Sequence, residues 1–287
     1  MVEENNKYVI VTGGEGFIGS HLVERLLDEG YFVKVIDDER IGKYKIDHPD
    51  VLYVNEDVAN YTVVERDKHA RAIFHLANSP RVRRSLDYPV DTLRNNLDTT
   101  LSVVQMAMDI GCPLYFSTSS STKYAESTNP YTLSKKMCED IILMFRHKYN
   151  VESTMMYYYN VFGPGEADYG PYSTVIRRFK QKIQSDEPMV IFGDGSKRRA
   201  FTHVLDVVEG MMEMMNMPFT PDEVHLGNAK NVSILDIANA FNPYPYVFED
   251  NMPGEAQETY CENPIIDCKF DVEEYIRQWV KDRNKDL

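Results

Sequence analysis

The chain has 287 residues, 43% of them hydrophobic and 26% charged, and its 45 Asp+Glu against 31 Lys+Arg give a net charge of −14. That size and balance exclude a disordered or fibrous chain and leave room for one large α/β unit or two coupled domains. So negative a field disfavours nucleic acid and anionic membranes as partners, whereas a small anionic ligand stays compatible because backbone dipoles act locally.

Residues 1–7 are acidic and run straight into a strand, so they do not read as a secretion signal, and no apolar run is long enough to read as a membrane span. A short apolar run over 8–12 meets Gly13-Gly-Glu-Gly16-Phe-Ile-Gly19; Leu22, Val23, Leu26 and Leu27 then recur at helical spacing until Gly30. Residues 32–37 form a second strand ending on Asp37, and 51–54, 72–76 and 113–116 read as further strands. Long helices are predicted over about 90–111 and 131–149. Strands that are continuously apolar and alternate with helices predict an α/β fold with a doubly wound parallel sheet covered on both faces.

The pattern loosens after Pro164, Gly165, Gly170 and Pro171, where a helix over 174–184 and a strand over 189–192 follow. The expected division is a cofactor-binding domain over 1–165, with the chain returning to it around 200–230, and a smaller, loop-rich substrate lobe over 166–287. Met211, Met212, Met214 and Met215 fit one helix packed on the core. His203 and His225 are expected to be structural. Cys112, Cys138, Cys261 and Cys268 show no metal-ligand spacing and are expected as free thiols of a reducing cytoplasm, with no metal site.

Gly14, Gly16 and Gly19 satisfy G-x-G-x-x-G, and Gly13, Gly16 and Gly19 satisfy G-x-x-G-x-x-G, between a strand and a helix and with Asp37 beyond them. Such a loop lets a pyrophosphate approach backbone N–H groups at a helix N-terminus. Asp37 suits the adenosine ribose hydroxyls and repels a 2′-phosphate, which favours NAD over NADP, although Arg40 stands nearby. Asp57 reads either as an adenine contact or as a solvated loop acid.

Tyr131 and Lys135 lie four apart, on one face of a predicted helix. Of nineteen tyrosines only Tyr131 has a lysine at that offset, but chance alone could supply one pair in a chain this rich in both. Their position carries more weight, since they open the helix after a strand and its serine cluster, where ligands bind in open parallel sheets. A tyrosine acting as base near neutral pH needs its pKa brought down from about 10. A nearby ammonium acts in that direction. Ser120 could orient the substrate oxygen. Read plainly, the same residues are a helix-start aromatic, a solvated lysine and a polar turn.

Together these segments resemble the extended short-chain dehydrogenase/reductase family, and within it the NAD-dependent nucleotide-sugar epimerases and dehydratases, with UDP-glucose 4-epimerase-like features. The cofactor loop spans Thr12 to Leu22, His75-Leu-Ala77 is similar to the fourth-strand motif, and Asn160-Val-Phe-Gly-Pro164 to a diphosphate-binding segment. The resemblance implies a Rossmann fold. It implies that Gly13, Gly16, Phe17, Ile18, Gly19, Asp37, Asp57, Val58, Leu76, Ala77 and Asn96, with Tyr131 and Lys135, hold NAD. Ser120, Tyr131 and Lys135 match the catalytic triad, and Ser120, Asn160 and Arg199 the contacts to a nucleotide-diphosphate sugar. A loop-capping Asn and a surface Arg are the plain alternatives for the last two. Arg81, Arg83 and Arg84 read as phosphate contacts or as a solvated loop.

Several positions depart from the family pattern. Ser121 and Thr122 stand where dehydratases carry Asp-Glu and decarboxylases a Glu, the loop over 125–130 is short, Met252 replaces a common arginine, Tyr157 another, and Asn78 a common alanine. The expected activity is 4-epimerisation. The alternatives are a 4,6-dehydratase, decarboxylase or 4-keto reductase, or a weakly active binding subunit. The resemblance also implies a homodimer built on the two long helices.

Overall fold

Along the first strand, β1 (Tyr8–Thr12), successive side chains point to opposite faces of a sheet, and all five residues are buried. Val9 and Val11 enter one apolar layer, and Tyr8 and Ile10 the other. The structure, a computed structural model, describes residues 7–80, 82–124, 129–166, 173–251 and 257–285. In it β1 is followed by β2 (Phe32–Asp37), β3 (Val51–Asn55), β4 (Ala72–His75), β5 (Leu114–Ser119) and β6 (Ser153–Tyr158). With the strand Glu223–Leu226 they form a seven-stranded sheet in the order Glu223–Leu226, β6, β5, β4, β1, β2, β3. Every pairing is parallel. This is the Rossmann-type architecture expected from the alternation of strands and helices.

The helices in chain order are α1 (Phe17–Asp28), α2 (Val82–Asp87), α3 (Pro89–Ile110), α4 (Ser121–Tyr124), α5 (Pro130–Tyr149), α6 (Val175–Gln184), α7 (Val204–Met215), α8 (Ile234–Ala240) and α9 (Val272–Arg283). Leu22 and Leu26 of α1 and Val207 and Met211 of α7 cover one face of the sheet; Val103 of α3 and Ile142 of α5 cover the other. Both long helices start with proline in the first turn, where its missing N–H is harmless. They end on left-handed residues, Gly111 at φ 76° and Asn150 at φ 55°. All four methionines of α7 are buried in the first of these layers.

β5 runs to Ser119, beyond the apolar run that marked it in the sequence, because Ser117, Thr118 and Ser119 continue the ladder against Met156, Tyr157 and Tyr158. The ladder uses backbone groups and accepts polar side chains. Outside the main sheet, residues 161–249 add short strands: Val161–Phe162 with Thr202–His203, and Met189–Phe192 with Tyr246–Glu249. Arg198–Ala200 pairs with both Asn231–Ser233 and Glu258–Thr259. A separate core of Ile176, Phe179, Ile237, Phe241 and Ile276 holds α6, α8 and α9 to them.

A charged pair is sealed inside the sheet's edge. Lys34 of β2 is 3% exposed and Asp67 fully buried, and the two form an ion pair. Asp67 also accepts hydrogen bonds from the hydroxyls of Tyr8 (2.8 Å) and Tyr61 (2.7 Å) and from the Val64 N–H (3.0 Å). Burial alone would raise the Asp67 carboxyl, but the Lys34 ammonium and these donors outweigh it and hold its pKa below the ordinary value. A carboxyl lowered on folding adds stability above its unfolded pKa of about 4, and the gain disappears as pH falls through the lower native value. Replacing Lys34 by Met strands the carboxylate and is expected to cost about 3–5 kcal/mol in urea unfolding at pH 7, while Lys34→Met with Asp67→Leu recovers most of the loss.

Candidate active site

From β1 the sheet proceeds to β2 and β3 on one side and to β4 and β5 on the other, and a crevice opens at the carboxyl edge where the order reverses. A cavity of about 850 Å³ occupies it, within the range of small-molecule sites. It is walled by Gly13, Gly16, Phe17, Ile18 and Gly19, by Asp37, Asp57 and Val58, by Leu76 and Ala77, by Ser120, Tyr131 and Lys135, and by Asn160 and Arg199. Residues the sequence singled out from eight separate stretches therefore meet on one surface.

The glycine loop is built by close approach. Gly13 has φ +72°, and a Cβ there would lie 2.6 Å from the Ala77 nitrogen; one on Gly19 would lie 2.2 Å from the Gly13 carbonyl oxygen. Helix α1 can therefore seat on the turn only because both side chains are missing. Its N-cap is Gly16, with no side chain capping the first turn, so backbone N–H groups at the cavity wall are left for an anionic ligand. At the end of β2, Asp37 is 8% exposed and accepts from the backbone N–H of Glu15 (3.0 Å) and of Glu39 (2.9 Å). Burial raises its pKa, against the pull of those two donors. Arg40 is engaged by Asp38 and by Asp57 at 2.9 Å, so Asp57 is one half of an ion pair at the cavity rim.

Lys135 is 3% exposed, and its ammonium donates to the Ser117 carbonyl (2.8 Å) and lies 5.2 Å from the centre of the Phe116 ring. Burial brings its pKa down to about 8. His75 is fully buried, its Nδ1 2.7 Å from the Thr12 hydroxyl; burial first, and the Lys135 charge second, push its pKa to about 3, so the ring is neutral. Tyr131 is the second residue of α5 and half-buried in the cavity wall. The preceding Asn129 caps the helix by accepting from the Thr132 N–H (2.9 Å). Ser120 follows β5 directly and is tied down by its backbone, donating to the Tyr158 carbonyl (3.1 Å) and accepting from the Lys123 N–H (3.0 Å).

Asn96 does not line the cavity. Fully buried behind it, Asn96 accepts from the Ser79 N–H (2.7 Å) and donates to the Ser134 hydroxyl (2.8 Å), which itself donates to the Tyr131 carbonyl (2.8 Å). This chain joins the loop after β4 to the turn of α5 that carries Tyr131. Asn160 donates to the Ala200 carbonyl (3.0 Å), and Arg199 to the carbonyls of Arg198 (2.8 Å) and Gln257 (3.1 Å). Arg84 lines the cavity and pairs with Asp91 at 2.7 Å. Tyr157 lies off the cavity, stacked on His225 with centroids 5.1 Å apart. Met252, Arg81 and residues 125–128 of the short loop fall outside the described residues. The sequence reading passed over Lys197, 6% exposed on the cavity wall, and Arg178 of α6. Lys197 stands two residues before Arg199 in the same segment, a signal that was available.

Residues 9–227 match the family described as the NAD dependent epimerase/dehydratase family. The chain belongs to this family. It is similar to a UDP-N-acetylglucosamine 4-epimerase from Methanobrevibacter ruminantium M1, solved in complex with UDP-N-acetylmuramic acid: 25% identity, TM-score 0.86, 99% of this chain and 100% of that one. A UDP-glucose 4-epimerase from Thermotoga maritima shares the fold at TM-score 0.85 and 23% identity, over 98% and 99% of the two chains. UDP-glucuronic acid decarboxylase 1 of Xenopus tropicalis is 28% identical over 83% of this chain, which spans 60% of that protein's length. The family's cofactor is NAD. The glycine cradle, the uncapped start of α1 and the buried Asp37 carboxylate fit a dinucleotide.

The Lys135 ammonium also makes a stability prediction. Its native pKa of about 8 lies below the 10.5 of a free lysine, so the charge penalises folding fully below pH 8 and progressively less as pH rises towards 10.5. Lys135→Met is expected to stabilise the cofactor-free protein at pH 7 by up to about 3 kcal/mol in urea unfolding, with most of that gain gone at pH 10.

Proposed function

We propose that the protein is an NAD-dependent nucleotide-sugar 4-epimerase. One observation carries the choice among the family's reactions: among the described residues lining the cavity, the carboxylates are Asp37, Asp38, Glu56 and Asp57, all at the ends of β2 and β3. Around Tyr131 the wall offers hydroxyls, amides and an ammonium, with Ser121 on the corner where an eliminating enzyme needs an acid and a base. Oxidation at one carbon and re-reduction on the opposite face needs a single proton shuttle, and Tyr131 supplies it.

NAD, when bound, accepts and returns the two electrons removed from the sugar's C4. Tyr131 takes the proton of the 4-hydroxyl through its phenolate and later gives it back. Lys135, one turn on, favours that phenolate by its charge and serves the nicotinamide ribose. Ser120 orients the sugar oxygen. Asn160 and Arg199 hold the diphosphate, so that the sugar can turn about a fixed handle. Asp37 receives the adenosine ribose, and Arg40, already engaged by two carboxylates, leaves little welcome for a 2′-phosphate. The neighbours' substrates make UDP-sugars the first candidates.

The test is direct. Denatured protein should release NAD, and native protein given UDP-, dTDP-, GDP- and CDP-sugars should yield an isomer of unchanged mass by mass spectrometry and NMR. Tyr131→Phe should keep its NAD and lose about 10²- to 10⁴-fold in kcat. Products lighter by water or carbon dioxide would overturn the epimerase assignment; NAD and sugar binding without turnover, indifferent to Tyr131→Phe, would point to a binding subunit.

We also infer a homodimer. Val90, Leu101 and Met108 of α3 and Leu133, Met137 and Met144 of α5 are exposed, and their spacings of 11, 7, 4 and 7 residues keep each set on one helical stripe. Two such helix pairs face to face bury both stripes. Leu101→Glu with Met137→Glu is expected to give a monomer by light scattering at micromolar concentration.

A further inference from the structure

Behind the serine corner of the cavity sits a carboxylate that the proposed chemistry does not use. Glu139 lies one turn beyond Lys135 on α5, is 2% exposed and does not line the cavity. Its Oε1 accepts two hydroxyl hydrogen bonds, from Thr118 at 2.5 Å and from Thr122 at 2.7 Å, and its Oε2 is 3.7 Å from the Lys136 ammonium. Thr118 belongs to β5 and Thr122 to the single turn of α4. The two threonines therefore flank Ser120 by two residues on each side, and one buried oxygen holds both.

The corner has other ties as well, among them the backbone bond from Ser120 to the Tyr158 carbonyl (3.1 Å). The Thr122 hydroxyl also reaches the Ser119 carbonyl (2.9 Å), and the Ser119 hydroxyl accepts from the Ser121 N–H (3.2 Å) and hydroxyl (3.0 Å). These are contacts within the corner; from α5 the Thr132 hydroxyl reaches the Ser121 hydroxyl (3.4 Å) and the Lys135 ammonium the Ser117 carbonyl (2.8 Å). Glu139 adds a two-point link, one oxygen holding both flanks of Ser120 from the same helix that carries Tyr131 and Lys135. Hydrogen bonds to an ionised acceptor are shorter and stronger than neutral ones, which suits a carboxylate to the task.

We infer that Glu139 is a positioning residue, which fixes the Ser120 hydroxyl relative to Tyr131 by gripping Thr118 and Thr122 from the catalytic helix. The inference rests on the roles proposed above for Ser120 and Tyr131. A small displacement at a reacting centre is enough to cost about 10²-fold in rate, so loss of the grip should be visible in kcat.

A double-mutant cycle with Ser120→Ala tests it, read in steady-state kinetics and in NADH affinity by fluorescence. Glu139→Ala should lower kcat about 10- to 100-fold while leaving KM and NADH affinity within about threefold. Glu139→Gln, which keeps an acceptor oxygen, should restore most of the rate. In the Ser120→Ala background Glu139→Ala should cost less than about twofold, because the group it positions is gone. If Glu139→Ala does not fold, Thr122→Val removes one leg of the grip and should show the same non-additivity with a smaller loss. Equal losses in both backgrounds, or NADH affinity falling together with kcat, would overturn the positioning role alone. A wild-type protein inert towards every nucleotide sugar would overturn the reading of the site and this role with it.

Discussion

The site is organised around a charge held almost entirely out of water. Lys135 is buried at the carboxyl edge of the sheet, with one carbonyl and one aromatic face as its closest partners. Its surroundings avoid a competing charge: His75, inside the same layer, is neutral because burial and the ammonium both disfavour its protonation. A buried ammonium of this kind weakens the fold at neutral pH. In the proposed chemistry that cost has a use, because an electrostatic influence on a neighbouring phenol is strongest where solvent does not screen it. The braces around it follow from that need. Asn96 links the loop after β4 to the first turn of α5, and the proline and asparagine at that helix's start hold its first turn in place.

The cavity divides by charge as well as by chain segment. The carboxylates among its described lining residues all lie at the β2–β3 end, beside Arg40 and Lys43, whereas the end contributed by the later part of the chain is lined by Arg178, Lys197 and Arg199. A protein of net charge −14 thus presents cations where the proposed diphosphate would lie. Distant acidic surface is screened over about 10 Å in physiological salt, so the local cations decide what binds. Global charge and local site carry different information, the first about polymers and surfaces, the second about small ligands.

Much of this was legible in the sequence because it rests on periodic or backbone-constrained features. Continuous apolar strands, the helix after the glycines and the αL-ending long helices each leave a local signature, and all lie where the pattern placed them. The glycines at 13 and 19 were readable because no side chain fits. The later segments were less readable: pairs such as Val161–Phe162 with Thr202–His203 are two residues long and rely on distant partners rather than on alternation. Extension of β5 through Ser117–Ser119 was hidden for the same reason, since ladder bonds ignore side-chain polarity. Depth was also hidden. Asn96 and the wall-lining Asn95 are adjacent in the chain, and only the helix's rotation against the sheet puts one behind the wall and the other on it.

The acidic end of the cavity extends the argument from recognition to selectivity. Asp37 is buried and held by two backbone donors, so it has no freedom to swing away from an added phosphate. Arg40, a cation at this end of the cavity, is shared between Asp38 and Asp57. Welcoming a 2′-phosphate would require removing the fixed carboxylate and freeing the guanidinium together, since either change alone leaves a repulsive or a still-engaged group. In the proposed placement, preference for the unphosphorylated dinucleotide would be a property of four side chains together, Asp37, Asp38 and Arg40 after β2 and Asp57 after β3, rather than of the single acid that marks it in the sequence.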